Sequence, residues 1–438
     1  MAPVGRPSLL RALRHRNYRL FFAGQSLSLV GTWITRIATS WLIYRLTGSA
    51  LLLGIVGFCG QIPTLFLAPV AGVFVDRWDR HRVLVVTQVL SMLQSAALAV
   101  LTLSGLITIW HVLLLSLFQG AINAFDMPAR QAFVVEMVDR REDLPNAIAL
   151  NSSMVNAARL LGPSIGGVII AAVGEGWCFA LDAVSYLAVI ASLLLMRIAS
   201  RTRTAGAQAK MLGQLHEGWR YVAGSAPIRS ILLLLALVSL VGMPYTVLMP
   251  IFASSILHGG PHTLGFLMAA TGVGALLGAF FLANRRSVLG LGKLIPLMAS
   301  LFGAGLIGFA LSRSLWLSLV LLLVTGLGFM VQMAASNTLI QTLVEDDKRG
   351  RVMSFYTMAF MGTTPFGSLL AGTLANRIGA PRTLLLGGVG CIAGALWFAR
   401  LLPELRERVR PIYIRMGILP EVADGMASAA EMTVPPGQ

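Results

Sequence analysis

Gly72-Val73-Phe74-Val75-Asp76-Arg77-Trp78-Asp79-Arg80-His81-Arg82 packs five charged residues and a histidine between two long apolar runs. Before it, Leu51 to Val75 carries no charge, and after it neither does Val83 to Trp110. Each run has the roughly 20 residues that a helix needs to cross a bilayer. A chain that crosses, turns within so few residues and crosses back makes a tight hairpin at a membrane face. Arginines there mark the cytoplasmic side. Gly72 is expected to let a neighbouring helix come close, and Asp76 to end the second span. Arg77, Arg80 and Arg82 are expected to stay at the level of the lipid headgroups. On charge alone, a generic positive-inside loop reads equally well.

The rest of the 438-residue chain has the same character. It is 56% hydrophobic and only 12% charged, against about 25% charged residues in soluble domains. The expected fold class is therefore an all-α membrane protein, with no soluble domain of useful size left over. A net charge of +16 would suggest nucleic acid in a soluble protein. Here the bases sit in short loops and tails, where they orient the chain, so lipids are expected partners and nucleic acid is not. Cys59, Cys178 and Cys391 lie far apart inside apolar runs and read as packing residues. Arg6 to Arg19 precede an apolar stretch that continues to Tyr44, which reads as an uncleaved first span. The sequence offers no phosphate-binding Gly-Lys-Ser/Thr loop and no paired histidine spacing. No cofactor, metal or catalytic centre is therefore expected.

Twelve spans are predicted, at about 18–45, 51–75, 83–104, 108–136, 145–172, 176–197, 228–256, 263–284, 291–311, 315–343, 351–376 and 382–402. They divide the chain into a cytoplasmic segment 1–17, a six-helix bundle 18–197, a linker 198–227, a second bundle 228–402 and a tail 403–438. The linker holds a modestly amphipathic piece, Leu212 to Val222, suited to a membrane surface. The tail, basic at first and then rich in small residues and prolines, is expected to be disordered. With both termini inside, 28 of the 34 Lys and Arg residues fall in inner segments and 4 in outer ones. That bias favours a multi-pass protein of the bacterial inner membrane with cytoplasmic termini. Arg36 and Arg159 are the remaining two, and both fall inside spans.

The two halves repeat. Ser28-Leu-Val-Gly31 recurs as Ser239-Leu-Val-Gly242, and at the same offset Leu46, Gly48, Leu53 and Gly54 meet Leu257, Gly259, Leu264 and Gly265. Further on, Pro163 and Gly174 have counterparts in Pro365 and Gly379. In register, Gly72, Asp76 and Arg77 correspond to Ala283, Ser287 and Val288, so the charged turn survives only in the first half. Parallel repeats of this kind place a substrate site at their interface, near the midplane.

The pattern G-x-x-x-D-R-x-x-R-x-R over Gly72 to Arg82 resembles the signature that major facilitator superfamily transporters carry between their second and third spans. The resemblance implies a loop that latches the two halves in the outward-facing state, against the start of the eleventh span near Gly350-Arg351. Ala158-Arg159-Leu160-Leu161-Gly162-Pro163-Ser164-Ile165-Gly166-Gly167 resembles the fifth-span motif of that superfamily's proton-coupled exporters, with Ala158 in place of the first glycine. Pro163 should kink the helix, and the glycines should allow close packing there. Gln119-Gly120 resembles the end of the exporters' fourth-span motif, with Ser116 where the arginine is expected. Asp126 to Ala132, Leu144 to Ala147, Asp182-Ala183 and Leu46 to Ser49 look like the branch of macrolide-efflux and enterobactin-exporter-like proteins.

A charge at the centre of a span costs about 2.5–3.5 kcal/mol. Arg36, Asp126, Glu136, Arg159 and Asp182 are therefore the candidates for proton coupling, with structural ion pairs as the other reading. Asp126 is the first choice for the proton, and Arg159 is expected to face the interior and pair with an acid or carbonyls. Asp182 also reads as a polar group near a helix end. Gln25, Trp33, Gln61, Gln119, Asn123, Asn156, Tyr245, Gln332 and Asn337 are candidate cavity residues; each also reads as packing. The expected function is a monomeric secondary transporter that exports a lipophilic or amphipathic small molecule, drug-like or siderophore-like, by alternating access. The energy source would be a proton gradient. An importer or a lipid flippase on the same fold remains open, with a polytopic enzyme or sensor further off.

Overall fold

The computed structural model describes residues 10–197, 211–285, 287–345 and 347–415; within these, the side chains of Pro69, Val73, Asp76, 211–216 and Arg415 lie outside what is described. Nearly every described residue is helical. The first half runs through α1 (Arg16–Thr47), α2 (Ala50–Cys59), α3 (Ile62–Arg77), α4 (Arg80–Leu103), α5 (Ile109–Phe133), α6 (Leu144–Val173) and α7 (Glu175–Leu194). A linker helix α8 (Met211–Gly224) leads to α9 (Ala226–Leu237), α10 (Tyr245–Ile251), α11 (Pro261–Ala283), α12 (Leu291–Leu311), α13 (Leu315–Leu343), α14 (Arg349–Thr357), α15 (Thr364–Ile378) and α16 (Ala380–Arg415). Ten stretches among the described residues are long and apolar enough to cross a membrane. The other two crossings are α1, whose polar residues dilute it, and the eleventh, which is interrupted at Thr363.

Local chemistry explains the joints. Gly48, with φ 58°, ends α1 in the left-handed region, and the Ser49 side chain then caps α2 by accepting from the Leu52 amide. α2 and α3 are one crossing, interrupted at Gly60-Gln61 just before Pro63, which lacks a donor for the preceding turn. Asp79 caps α4 by accepting from the His81 and Arg82 amides. The seventh and eleventh crossings carry π-helical turns at Val238–Gly242, Phe252–Ile256 and Met358–Gly362. Each lies within a few residues of Pro244, Pro250 or Pro365, where a missing N–H lets the register widen.

α6 runs from Leu144 to Val173 as one helix with Pro163 inside it. Two expectations change. α16 does not stop at Pro403 but continues to Arg415. One proline removes one hydrogen bond, and the buried Leu405 and the Glu404–Arg408 pair at 2.6 Å hold the helix beyond it. The rest of the tail, 416–438, lies outside the described residues. The linker helix α8 packs on α14: Glu217 pairs with Arg351 at 3.0 Å, and Trp219 lies against Phe355 with ring centroids 6.2 Å apart. That is where the loop after the second span was expected to latch.

The N-terminal segment is strapped to the first turn of α6 and the loop before it. The Ala12 amide donates to Asn146, and the Tyr18 hydroxyl donates to the Ala147 carbonyl at 2.7 Å. His15, 8% exposed, bridges Asp139 and Asp143 at 3.0 Å each. The hydrogen bond to Asp139, helped by Asp143, holds the His15 pKa above its usual 6.5 against the opposing effect of burial. A raised folded-state pKa gives stabilisation that is complete below the unfolded value and is lost as pH rises through the folded one. The melting temperature of the purified protein is therefore expected to fall as pH rises above the unfolded-state value of 6.5. In His15→Gln that part of the slope should vanish; an unchanged slope would remove His15 as its source.

Candidate functional site

The two halves touch chiefly through α2 against α15 and α6 against α11. Both contacts are made by glycines. A Cβ on Gly54 would lie 2.6 Å from the Ser368 carbonyl oxygen and 2.9 Å from the Gly372 Cα. A Cβ on Gly167 would lie 2.8 Å from the Pro261 carbonyl oxygen and 3.0 Å from the Gly265 Cα. Gly54 and Gly265 are partners in the sequence repeat, so one contact is made twice. Both lie toward the end of the bundle opposite the basic loops. The Tyr44 hydroxyl meets Ser255 across the halves at 2.6 Å near that same end. At the basic end, Cβ atoms on Gly72 and Gly350 would meet nothing within 4 Å. The close approach expected at Gly72 is not made in this structure.

Between the halves, near mid-depth, lies a cluster on α1 and α6. Gly162 and Gly166 let α6 settle onto α1: Cβ atoms there would meet the Trp33 Cβ at 2.4 Å and the Ile37 side chain at 2.6 Å. The guanidinium of Arg36 lies 5.1 Å from the centre of the Trp33 ring, and that of Arg159 lies 5.7 Å from it. Arg36 is exposed, while Trp33 and Arg159 are half-buried. Among the described residues Arg159 has this aromatic face in place of the expected acid or carbonyl partner, and the ring quadrupole meets its charge. Gly272, from the second half, lies against this part of α6: a Cβ there would be 3.3 Å from the Leu160 Cα and 3.6 Å from the Arg159 carbonyl oxygen.

The acids separate into two kinds. Asp126, 3% exposed, accepts from Thr87 at 3.0 Å, from Gln88 at 2.7 Å and from Arg130 one turn on. Glu136 pairs with Arg80 at 3.0 Å, fixing the start of α4 to the turn after α5. Glu175, which sequence reasoning missed, pairs with Arg45 at 2.7 Å. Asp182 differs. It is 1% exposed and sits well inside α7, not at its end. Its carboxylate accepts from Thr35 at 2.9 Å and Ser95 at 2.8 Å, and Ser185 lies at 3.5 Å; among the described residues it has no cationic partner. A Cβ on Gly31 would lie 2.6 Å from its oxygen, so this glycine makes the room.

The remaining candidates are dispersed. Gln25 and Gln332 are buried inside their own halves, and Tyr245 is 3% exposed. Gln119 donates to Ser91 and Asn123, each at 3.2 Å, while Gly120 allows α5 to meet Gly60. Gln61 and Asn156 donate to carbonyls one turn back, and Asn337 accepts from Gln341. Arg77 is exposed, Arg82 pairs weakly with Asp79 at 3.6 Å, and the Asp76 side chain lies outside the described residues. Ala158 is buried. The described residues hold no group of acids, histidines and cysteines fit for a metal ion.

Comparison with known proteins places this architecture. A staphyloferrin A transporter of Staphylococcus aureus is 28% identical over 87% of this chain and 95% of its own. The multidrug efflux pump Tap of Mycolicibacterium fortuitum is 29% identical over 86% and 93%. Macrolide efflux protein A of Streptococcus pyogenes is 23% identical over 87% and 96%. Among solved structures, a bacterial homologue of the human lysosomal transporter Spinster, inward-facing and unoccupied, superposes with a TM-score of 0.70. It covers 90% of this chain and 97% of that one at 14% identity, which speaks to the fold alone. The sequence also matches the family described as transmembrane secretion effector over residues 8–412. The chain is thus a transporter and not an enzyme: a member of the transmembrane secretion effector family within the major facilitator superfamily.

Proposed function

We propose that this protein exports an amphipathic small molecule from the bacterial cytoplasm by alternating access, driven by inward movement of protons. The observation that carries this reading is the pair of glycine contacts closing one end of the halves, while Arg36 stays exposed at depth. With the basic loops at the cytoplasmic face of the inner membrane, this is the inward-facing member of the cycle. Efflux proteins among its relatives support the direction; the staphyloferrin A transporter widens the substrate range.

Asp182 replaces Asp126 as the proton site in this reading. Asp126 already has Arg130 as its counter-charge, whereas a buried carboxylate with only hydroxyl donors is much cheaper to hold as the neutral acid. α1 supplies the link to the substrate. Thr35 touches Asp182, and the next residue, Arg36, reaches the space between the halves. Protonation changes what Thr35 hydrogen-bonds and so biases α1.

In inverted membrane vesicles an imposed interior-acid gradient should drive accumulation of a transported compound, and a protonophore should abolish it. Accumulation that follows sodium, or proton-driven uptake into right-side-out vesicles, would overturn the reading.

A further inference from the structure

We propose that the Trp33–Arg36–Arg159 cluster is an oxyanion-binding site, and that the exported molecule presents a carboxylate or similar anionic group to it. This rests on the export reading and adds the class of molecule carried.

The argument starts from charge. The fold supplies acids to the other half-buried arginines of the first half, Asp143 to Arg11, Glu136 to Arg80 and Asp126 to Arg130, and Glu175 to the exposed Arg45. Arg36 and Arg159 share one indole ring, and each is close enough to be felt by the other's charge. Among the described residues no carboxylate lies within ion-pair distance of either. Asp182, the acid without a cation, is held by Thr35, Ser95 and Ser185. Two like charges near mid-membrane without a counter-ion are unfavourable, so the site is incomplete as the chain alone builds it.

Geometry says what completes it. A guanidinium stacked on an aromatic face keeps its in-plane N–H donors free, and a fork of such donors matches the two oxygens of a carboxylate. Arg36 is exposed, so a solute can reach it. The Tyr44 hydroxyl, further along α1, touches Ser255 of the other half, so α1 borders the second half. Gly272 of the second half packs against α6 here, where its Cβ would lie 3.6 Å from the Arg159 carbonyl oxygen, so an anion here would sit where both halves meet. The Trp33 ring adds an apolar surface beside the charge, the combination that an amphipathic anion fits.

The test uses the purified full chain in neutral detergent, with citrate as the carboxylate probe and triethyl citrate as the uncharged control. Citrate should raise the melting temperature and bind by calorimetry, and triethyl citrate should do neither. Arg36→Gln and Arg159→Gln should each weaken citrate binding about tenfold or more, the size of a lost hydrogen bond to a charged group. Without citrate, either variant should melt no lower than the parent, since a repulsion has been removed. No citrate binding, binding equal in the parent and the double variant, or variants that melt far lower would each overturn the proposal. Phosphatidylglycerol that masks citrate in the parent, with a lipid effect lost in the double variant, would assign the anion to a lipid headgroup and overturn the substrate assignment. In inverted vesicles, undiminished proton-driven export by the double variant would remove the anion site and leave the export reading. Citrate binding without any gradient-driven transport would do the reverse.

Discussion

Replacing Gly167 with valine is expected to push the halves apart at the closed end and to depopulate the conformation seen here. The added atoms would fall on backbone, the Pro261 carbonyl and the Gly265 Cα, neither of which can rotate away. Overpacking of this kind costs about 1–3 kcal/mol, which is about 5–150-fold in a two-state population. Transport should fall accordingly, because a carrier that cannot close one end cannot complete its cycle. Gly372→Val, at the other copy of the contact, should behave alike, since its Cβ would lie 2.8 Å from the Ala50 carbonyl and 2.8 Å from the Gly54 Cα. Gly72→Val is the opposite case. It meets nothing here, so any effect must come from the state in which the basic end closes, and it should enrich the present conformation. Distances between spin labels at the two ends would read both directions. A Gly167→Val protein with the parent's distance distribution would show that this contact does not set the equilibrium.

The crossings and their order are legible because membrane spans are written in long charge-free runs. The repeat was legible too: Gly54 aligned with Gly265, and Gly174 with Gly379, which end α6 and α15 with φ of 90° and 88°. What the repeat could not say is which glycine meets which, because Gly54 finds Gly372 and Gly265 finds Gly167 only once the halves face each other. Asp126 could have been placed from its spacing, since Arg130 four residues on shares its helix face. Asp182 could not. Its partners come from α1, α4 and α7, and in a sequence Thr35, Ser95 and Ser185 look like ordinary small residues of an apolar span. Arg36 and Arg159 were visible as intramembrane charges, yet their shared ring depends on the close seat of α6 on α1 that Gly162 and Gly166 permit.

Asp182→Asn is expected to abolish accumulation against a gradient while leaving the protein folded and able to exchange substrate passively. Asparagine matches the carboxyl in shape and can still accept from Thr35 and Ser95, so packing around Gly31 is kept. It cannot take or release a proton, so a half-cycle that needs the neutral acid and one that needs the anion become the same. Asp126→Asn is the contrasting substitution. It strips the counter-charge from Arg130 inside the bundle, a change that costs up to about 3–5 kcal/mol when a pair is fully buried. The cost should be smaller here, because the Arg130 side chain is 24% exposed. That variant should melt lower and yield less protein, with coupling intact in the molecules that fold. The two variants therefore separate a proton site from a structural pair by different readouts, vesicle accumulation for one and melting temperature for the other. Proton-driven accumulation surviving in Asp182→Asn, with loss in a stably folded Asp126→Asn, would reverse the assignment.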